Sequence, residues 1–230
     1  MQWLLNLGSQ YRQSLLSGFF YKQLALSEHQ DDVRGWIRQL YHQSSDFTAS
    51  LAMRYAMCSD FRYQGCFAHH ATEEVDHAAL LLDWMHKHEF LQPGENPNSV
   101  APTLETQSVS AYCFRSVLRE SYEHQVIAMN LISEGVSFDF FSAVIPAFER
   151  LGLKTNRYWT VHRDIDQIHL GMGIDLIPQC DEDSAQGKEY ARIAWETSVL
   201  YGQMLDSWSL LGNKTTGDKH ELSKVAALTR

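Results

Sequence analysis

Residues 162–169 read His162-Arg163-Asp164-Ile165-Asp166-Gln167-Ile168-His169. Within them, His162, Asp166 and His169 are spaced i, i+4 and i+7, so in an α-helix they lie on one stripe. Trp159 and Leu170 flank this stripe, which indicates that it faces the protein interior. Charged groups are rarely buried unless they are paired or bind a metal. The stripe therefore predicts either a metal site or a hydrogen-bonded pair of core histidines.

A second cluster of the same residue types lies earlier in the chain. It reads His70-Ala71-Thr72-Glu73-Glu74-Val75-Asp76-His77. On a continuous helix, four of these side chains share a stripe about 100° wide, namely His70, Glu73, Glu74 and His77. Glu74 and His77 have the i, i+3 spacing with which diiron bundles hold metal, although a solvated acidic face has the same pattern. Nitrogen and oxygen ligands of this kind suit iron or manganese, with zinc as a third candidate.

A dinuclear site needs further donors from other helices. Glu134, near the end of a long predicted helix, is the best remaining carboxylate. Glu120 and Glu123 on the same helix are rivals for that role, and a salt-bridged solvent face is the alternative for both. His42, on an earlier helix, is a further candidate as a ligand or as a hydrogen-bond partner of one.

The apolar residues recur with a period close to 3.6, which predicts an all-α fold. The predicted helices span residues 8–26, 29–44, 46–64, 66–89, 108–134, 138–151, 155–176 and 184–211. The proline-rich stretch 92–107 predicts a long loop. Because no shift in composition marks a second domain, we expect one helical domain over residues 1–212 and a polar C-terminal tail over residues 213–230.

The composition favours a globular cytoplasmic protein. Of 230 residues, 44% are apolar and the formal net charge is −9, so disorder and nucleic-acid binding are not expected. Four cysteines without a CxxC pair indicate a reducing compartment. We expect no membrane association, since the N-terminus lacks the pattern of a signal peptide and no stretch reaches the roughly 18 apolar residues of a membrane span.

Three pieces of the chain together resemble the haem-oxygenase-like diiron oxidases, relatives of TenA and PqqC. They are His70-x-x-Glu73-Glu74-x-x-His77, Glu134-Gly135-x-Ser137, and His162-x-x-x-Asp166-x-x-His169. The resemblance covers about residues 30–180 and implies a haem-oxygenase-like bundle of seven to eight helices. It implies two Fe(II) ions, with manganese as the alternative and no haem, and the activation of O₂ on a small organic substrate. The implied metal ligands are Glu74, His77, Glu134, His162, Asp166 and His169, with His42, His70 and Glu73 as additional candidates. Related folds usually associate, so a homodimer or larger assembly is expected.

The chain departs from this family pattern at one position of the second cluster. Some relatives have a glutamate seven residues before the histidine, where this chain has His70 before His77. An alternative function is that of a metal-free TenA-like hydrolase or small-molecule-binding module. Such a hydrolase would need a cysteine nucleophile, for which Cys66 and Cys113 are the candidates.

Overall fold

A computed structural model describes residues 1–211, and the regular structure of these residues is helical throughout. The α-helices are α1 (Gln2–Leu16), α2 (Phe19–Leu26), α3 (Asp31–Met57), α4 (Phe61–Glu73), α5 (His77–Lys87), α6 (Leu104–Arg119), α7 (Tyr122–Gln125), α8 (Gly135–Arg150), α9 (Arg157–Gly171) and α10 (Ala185–Ser209). A π-helix, Val126–Glu134, joins α7 to α8, and short 3₁₀ turns lie at Pro97–Ser99 and Ile174–Leu176. The all-α prediction is confirmed, whereas the predicted tail 213–230 lies outside the described residues.

Several predicted helix boundaries were wrong. The predicted helices 29–44 and 46–64 join in a single helix, α3, which ends at Met57, and residues 61–64 belong to α4. The helix continues through the expected break because residues on both sides of it, such as Leu40 and Leu51, are buried in the same core. The helix predicted over 108–134 is interrupted after Arg119. There Ser121 begins α7 by accepting a hydrogen bond from the His124 backbone N–H at 3.2 Å. The helix predicted over 66–89 breaks at residues 74–76.

The run from α7 through the π-helix to α8 is the central helix of the bundle. Every residue of the π-helix is buried. The whole run, Tyr122–Arg150, is long and apolar enough to cross a membrane by length and composition, although the sequence analysis had found no such stretch. However, 72% of its most apolar window is buried inside the bundle, as in the core helix of a globular protein.

A layer of stacked aromatic rings leads into the clusters of titratable groups. Trp84 of α5 stacks on Phe148 of α8 at 5.2 Å between ring centroids and meets the edge of Trp159 at 4.9 Å. Phe141 then bridges from Trp159, at 5.5 Å, to the ring of His162, at 4.4 Å. Burial of each such side chain contributes about 1.5–3 kcal/mol to the stability of the fold. These packed rings therefore hold α5, α8 and α9 together beside the clusters.

Candidate metal centre

The inward stripe of α9 is buried as predicted, and its first histidine has one nitrogen free. Asn156 begins the helix by accepting a hydrogen bond from the Tyr158 N–H at 3.1 Å. His162 Nδ1 donates to the Tyr158 carbonyl one turn earlier, at 2.7 Å. The other nitrogen, Nε2, then carries a lone pair and lies 3.9 Å from Glu74 Oε2. Burial lowers the pKa of His162 to about 4, so its ring is neutral at physiological pH.

His169 is oriented in the same way from the other end of the stripe. Its Nε2 donates to Glu73 Oε2 at 2.9 Å. Its Nδ1 faces two carboxylates, with Glu74 Oε1 at 3.4 Å and Glu134 Oε2 at 3.7 Å. Burial lowers the pKa of His169, but these carboxylates outweigh that effect and raise it to about 11. Without a metal ion this histidine therefore holds a proton between the two carboxylates.

Glu74 and His77 come from a turn rather than from one continuous helix. The helix α4 ends at Glu73 and α5 begins at His77, so the continuous stripe assumed from the sequence is wrong. Thr48 Oγ1 of α3 donates to the Glu74 carbonyl at 3.2 Å and ties the turn to the bundle. His77 Nδ1 lies 2.5 Å from Glu74 Oε2. Burial raises the pKa of Glu74, but the contacts with His169 and His77 outweigh it and hold the pKa well below its usual range.

The motif Glu134-Gly135-x-Ser137 joins the central helix to its neighbours. Glu134 is the last residue of the π-helix, and its Oε1 lies 2.6 Å from His70 Nε2. A Cβ atom at Gly135 would lie only 2.7 Å from Cδ of Arg12, so glycine allows the close approach of α1. One turn on, Ser137 Oγ donates to Asp166 Oδ2 at 2.6 Å. The motif thus supplies the carboxylate of Glu134 and, through Ser137, a hydrogen bond to the carboxylate of Asp166.

Three buried polar atoms of the cluster make no hydrogen bond of good geometry. They are Glu74 Oε1, Asp166 Oδ1 and His169 Nδ1, of which the first and the last lie 3.4 Å apart. Leaving such an atom unsatisfied costs about 1–3 kcal/mol, so these atoms need an explanation. Burial, and then the charges of Glu134 and Glu74, raise the pKa of Asp166 well above its usual range. The residues fit a metal centre, since buried carboxylate and imidazole atoms of this kind suit a cation, which would also relieve the crowding of carboxylates.

The geometry divides the cluster into two groups that share one residue. Ligand atoms of Glu74, His77 and His162 lie within 4.8 Å of one another. A second group with the same spacing consists of His70, Glu74, Glu134 and His169. Oε2 of Glu74 faces the first group and Oε1 faces the second, so this carboxylate turns one oxygen toward each group.

The structure brings five of the six main candidates into these two groups. The sixth, Asp166, is close enough to Glu134 and Glu74 for their charges to raise its pKa. Among the additional candidates, His70 lies in the second group. Glu73 lies at the edge, with 31% of its side chain exposed, and bonds His169. His42 is not in the cluster, because its Nε2 lies 2.7 Å from the Val100 carbonyl and holds the loop before α6 against α3. This loop is shorter than the predicted 92–107, since α6 begins at Leu104. Glu120 pairs with Arg115, and Glu123 accepts from Tyr63 Oη at 3.1 Å, so neither rival replaces Glu134.

Two residues of the site were missed by the sequence analysis. Arg54 of α3 is buried, and Asn130 interrupts the otherwise apolar run of the π-helix. Both contact His70 Nδ1, at 2.8 Å and 3.0 Å. Arg54 follows Leu51 by three residues and so lies on the inward face of α3. This spacing was the feature of the sequence from which a buried arginine could have been predicted.

A cavity adjoins the cluster. Glu74, Glu134 and His162 form its titratable wall. The other walls are mostly apolar and are formed by Leu40, Phe47, Val136, Phe140, Phe141, Met204, Leu205 and Trp208. Polar groups are few, namely Gln43, Ser44, Ser133, Ser137, Tyr158 and Tyr201, and none of the lining residues is a lysine or arginine. Such a lining suits a small organic molecule that is mainly apolar.

The fold and the buried cluster define a helical bundle built around a candidate metal centre. The chain belongs to the family of iron-containing redox enzymes, whose family model matches residues 34–202. Among curated proteins, no relative matches.

Solved structures with the same architecture cover most of the chain. A domain of unknown function with a haem-oxygenase-like fold from Shewanella denitrificans is 17% identical, covers 87% of this chain and 88% of its own, and has a TM-score of 0.71. A TenA homologue from Pseudomonas syringae pv. tomato is 14% identical, with 91% and 92% covered and a TM-score of 0.73. A TenA homologue from Pyrococcus furiosus is 12% identical, with 90% and 98% covered and a TM-score of 0.64. At these identities the likeness shows the fold, and the predicted haem-oxygenase-like, TenA-like bundle is confirmed.

Proposed function

We propose that this protein is a non-haem, iron-dependent oxidase or oxygenase that binds two Fe(II) ions and uses O₂ to oxidise a small organic substrate. The observation that carries the proposal is the group of three orphaned atoms, Glu74 Oε1, Asp166 Oδ1 and His169 Nδ1, buried beside an apolar cavity. Membership of the iron-containing redox family supports the same conclusion. Manganese is the alternative metal, because the same oxygen and nitrogen donors suit it.

In this proposal, the inward-facing ligand atoms fall into two groups, one for each metal ion. Glu74 Oε2, His77 and His162 Nε2 would hold one ion. Glu74 Oε1, Glu134 Oε2 and His169 Nδ1 would hold the other, with Asp166 Oδ1 as a further donor. Bound iron would supply the electrons that reduce O₂.

The remaining chemistry belongs to the protein. The three carboxylates bring negative charge that stabilises oxidised iron, and the backbone bond at His162 and the Glu73 bond at His169 fix the orientation of both rings. The apolar cavity walls exclude water and orient an apolar substrate against Glu74 and Glu134. Gln43 donates to Tyr201 Oη at 3.4 Å, so this pair is placed to bind a polar group of the substrate inside the cavity.

A metal-free hydrolase that uses cysteine is less well supported. Burial raises the pKa of the Cys113 thiol to about 12 and also raises that of Cys66. Both thiols are therefore protonated at neutral pH and are weak nucleophiles. Neither of them lines the cavity beside Glu74 and Glu134.

The proposal is tested by anaerobic titration of metal-free protein with Fe(II), followed by admission of O₂. We expect two Fe(II) per chain, and O₂ consumption that depends on added iron. His77→Ala should lose one ion, whereas His86→Ala, an exposed histidine on the same helix, should behave as wild type. Failure of the wild-type chain to take up iron or manganese would refute the proposal and leave a metal-free binding module. We also propose a homodimer or larger homo-oligomer, to be checked by light scattering, and a cytoplasmic location, to be checked by cell fractionation.

A further inference from the structure

His70 differs from His162 and His169 in the group that its second ring nitrogen contacts. A metal-binding histidine normally donates its other ring N–H to a carboxylate, a carbonyl or water. His162 meets this rule through the Tyr158 carbonyl, and His169 meets it through Glu73. At His70, the nitrogen away from the cluster is Nδ1, and it faces Arg54 Nη2 at 2.8 Å and Asn130 Nδ2 at 3.0 Å.

Both groups that face His70 Nδ1 are hydrogen-bond donors. A guanidinium has no acceptor, so the Arg54 contact requires a lone pair on His70 Nδ1. The amide of Asn130 is fixed in orientation, because its Oδ1 accepts from Arg54 Nη1 at 2.9 Å and its Nδ2 donates to the His169 carbonyl at 3.2 Å. If the amide were turned over, Asn130 Oδ1 would face the His169 carbonyl oxygen and Nδ2 would face the Arg54 guanidinium.

The proton of His70 must therefore lie on Nε2. That nitrogen is 2.6 Å from Glu134 Oε1, to which it donates. A metal ion on His70 Nε2 would have to displace this proton while Nδ1 also stays unprotonated, which requires an imidazolate anion. The geometric group that includes His70 thus contains one residue whose lone pair points away from it.

We propose, on the basis of the function above, that His70 is a positioning residue and not a metal ligand. It binds Oε1 of Glu134 and leaves Oε2 of that carboxylate for the metal. Arg54 and Asn130 hold the His70 ring in the tautomer that this requires. The ligand set is then three carboxylates and three histidines, namely Glu74, Glu134, Asp166, His77, His162 and His169.

Arg54 is itself held rigidly, as this role demands. It is 1% exposed, and its guanidinium lies 4.1 Å from the centroid of the Phe67 ring. The cation–π contact and the two hydrogen bonds fix a positive charge behind His70. An arginine in this position disfavours a second cation on the neighbouring ring and favours the neutral, Nε2-protonated form.

The first test uses metal-free protein and does not depend on iron. In protein labelled with ¹⁵N in its histidine rings, long-range ¹H–¹⁵N correlation spectra distinguish the two neutral tautomers from imidazolium. His70→Gln assigns the His70 signals by their loss. We expect the Nε2–H tautomer in the wild type, and a change of tautomer or protonation in Arg54→Met. An Nδ1–H or imidazolium His70 in the wild type would overturn the inference.

The second test counts metal ions. His70→Gln keeps an N–H that can donate to Glu134, whereas His70→Ala does not. We expect both variants to bind two ions at saturation, with affinity lowered about 10- to 100-fold in His70→Ala and largely restored in His70→Gln. Loss of one ion in both variants, as in His77→Ala, would show that His70 is a ligand. If the wild type takes up no metal, the proposed function fails, while the histidine spectrum still decides the tautomer.

Discussion

Ser137 Oγ lies 2.6 Å from Asp166 Oδ2 and joins α8 to α9 at the centre of the bundle. The hydrogen bond occupies one oxygen of Asp166, so the orphaned Oδ1 is the one left for a metal ion. The serine therefore acts on the metal through the orientation of a carboxylate.

Ser137→Ala should consequently weaken metal binding by about 10- to 100-fold, the usual effect of removing a group that orients a ligand. The stability of the metal-free protein should fall by only about 0.5–1.5 kcal/mol. Titration with Mn(II) and a thermal melt measure the two quantities. Ser108→Ala is the matched control, since Ser108 is half-buried and bonds only the Leu104 carbonyl of its own helix. Equal effects of the two substitutions would contradict the assigned role.

Removal of the Asp166 charge should have opposite effects with and without metal. The pKa of Asp166 is raised in the folded protein, so the protonated group contributes stability at low pH, and this contribution is lost as pH rises through the raised pKa. Metal-free Asp166→Asn should therefore melt at the same temperature as wild type or higher at pH 7. In the presence of Mn(II), wild type should gain more stability than the variant. A large loss of stability in the metal-free variant would indicate a structural ion pair instead.

Metal affinity should rise with pH. The pKa of His169 is raised to about 11 by its carboxylate neighbours, so at neutral pH this ring holds a proton that a metal ion must displace. The pKa of Asp166 is also raised, so protons compete with the metal for this carboxylate as well. Binding should therefore release protons, and His169 should supply one of them near neutrality. Mn(II) affinity measured between pH 6 and 8, with proton release followed in weak buffer, tests this expectation. An affinity independent of pH would contradict it.

Gly135→Ala should destabilise the fold. The new Cβ would lie 2.7 Å from Arg12 Cδ and 3.0 Å from Leu170 Cδ1. Arg12 cannot easily move aside, because Asp139 holds its guanidinium at 2.8 Å. We expect a loss of about 1–3 kcal/mol in denaturant unfolding, as for overpacking of a core.

Gly65→Ala is the control for this substitution. Gly65 is also helical, but a Cβ there would meet no atom within 4 Å. Alanine should stabilise that position by about 0.5–1 kcal/mol, because glycine loses more backbone entropy on folding. Destabilisation by both substitutions to the same extent would exclude the proposed steric cause.

The sequence allowed prediction of the fold class and of the residues that converge, since the spacing of His162, Asp166 and His169 together with apolar neighbours specifies a buried stripe. The turn after Glu73 could not be predicted, because Glu74-Val75-Asp76 contains neither glycine nor proline. It forms where Thr48 and the buried partners of Glu74 fix the backbone, which are tertiary contacts.

The roles of Arg54 and Asn130 were also beyond the sequence. Each is a single polar residue in an apolar face, which by itself predicts only an inward polar group. Their function depends on where His70 lies, 16 residues from Arg54 and 60 from Asn130. Interactions over such separations leave no periodic pattern in the chain.

The π-helix determines which side chains of the central helix point toward the candidate metal centre. An α-helix turns about 100° per residue, so the wider π turns hold residues that a regular helix would rotate elsewhere. Changing the number of residues within Leu131–Ser133 would shift α8 relative to α7, and α8 carries the cavity residues Phe140 and Phe141 as well as Ser137. Small insertions and deletions here should therefore alter metal binding and the packing of the cavity together, whereas Ser137→Ala should alter metal binding alone.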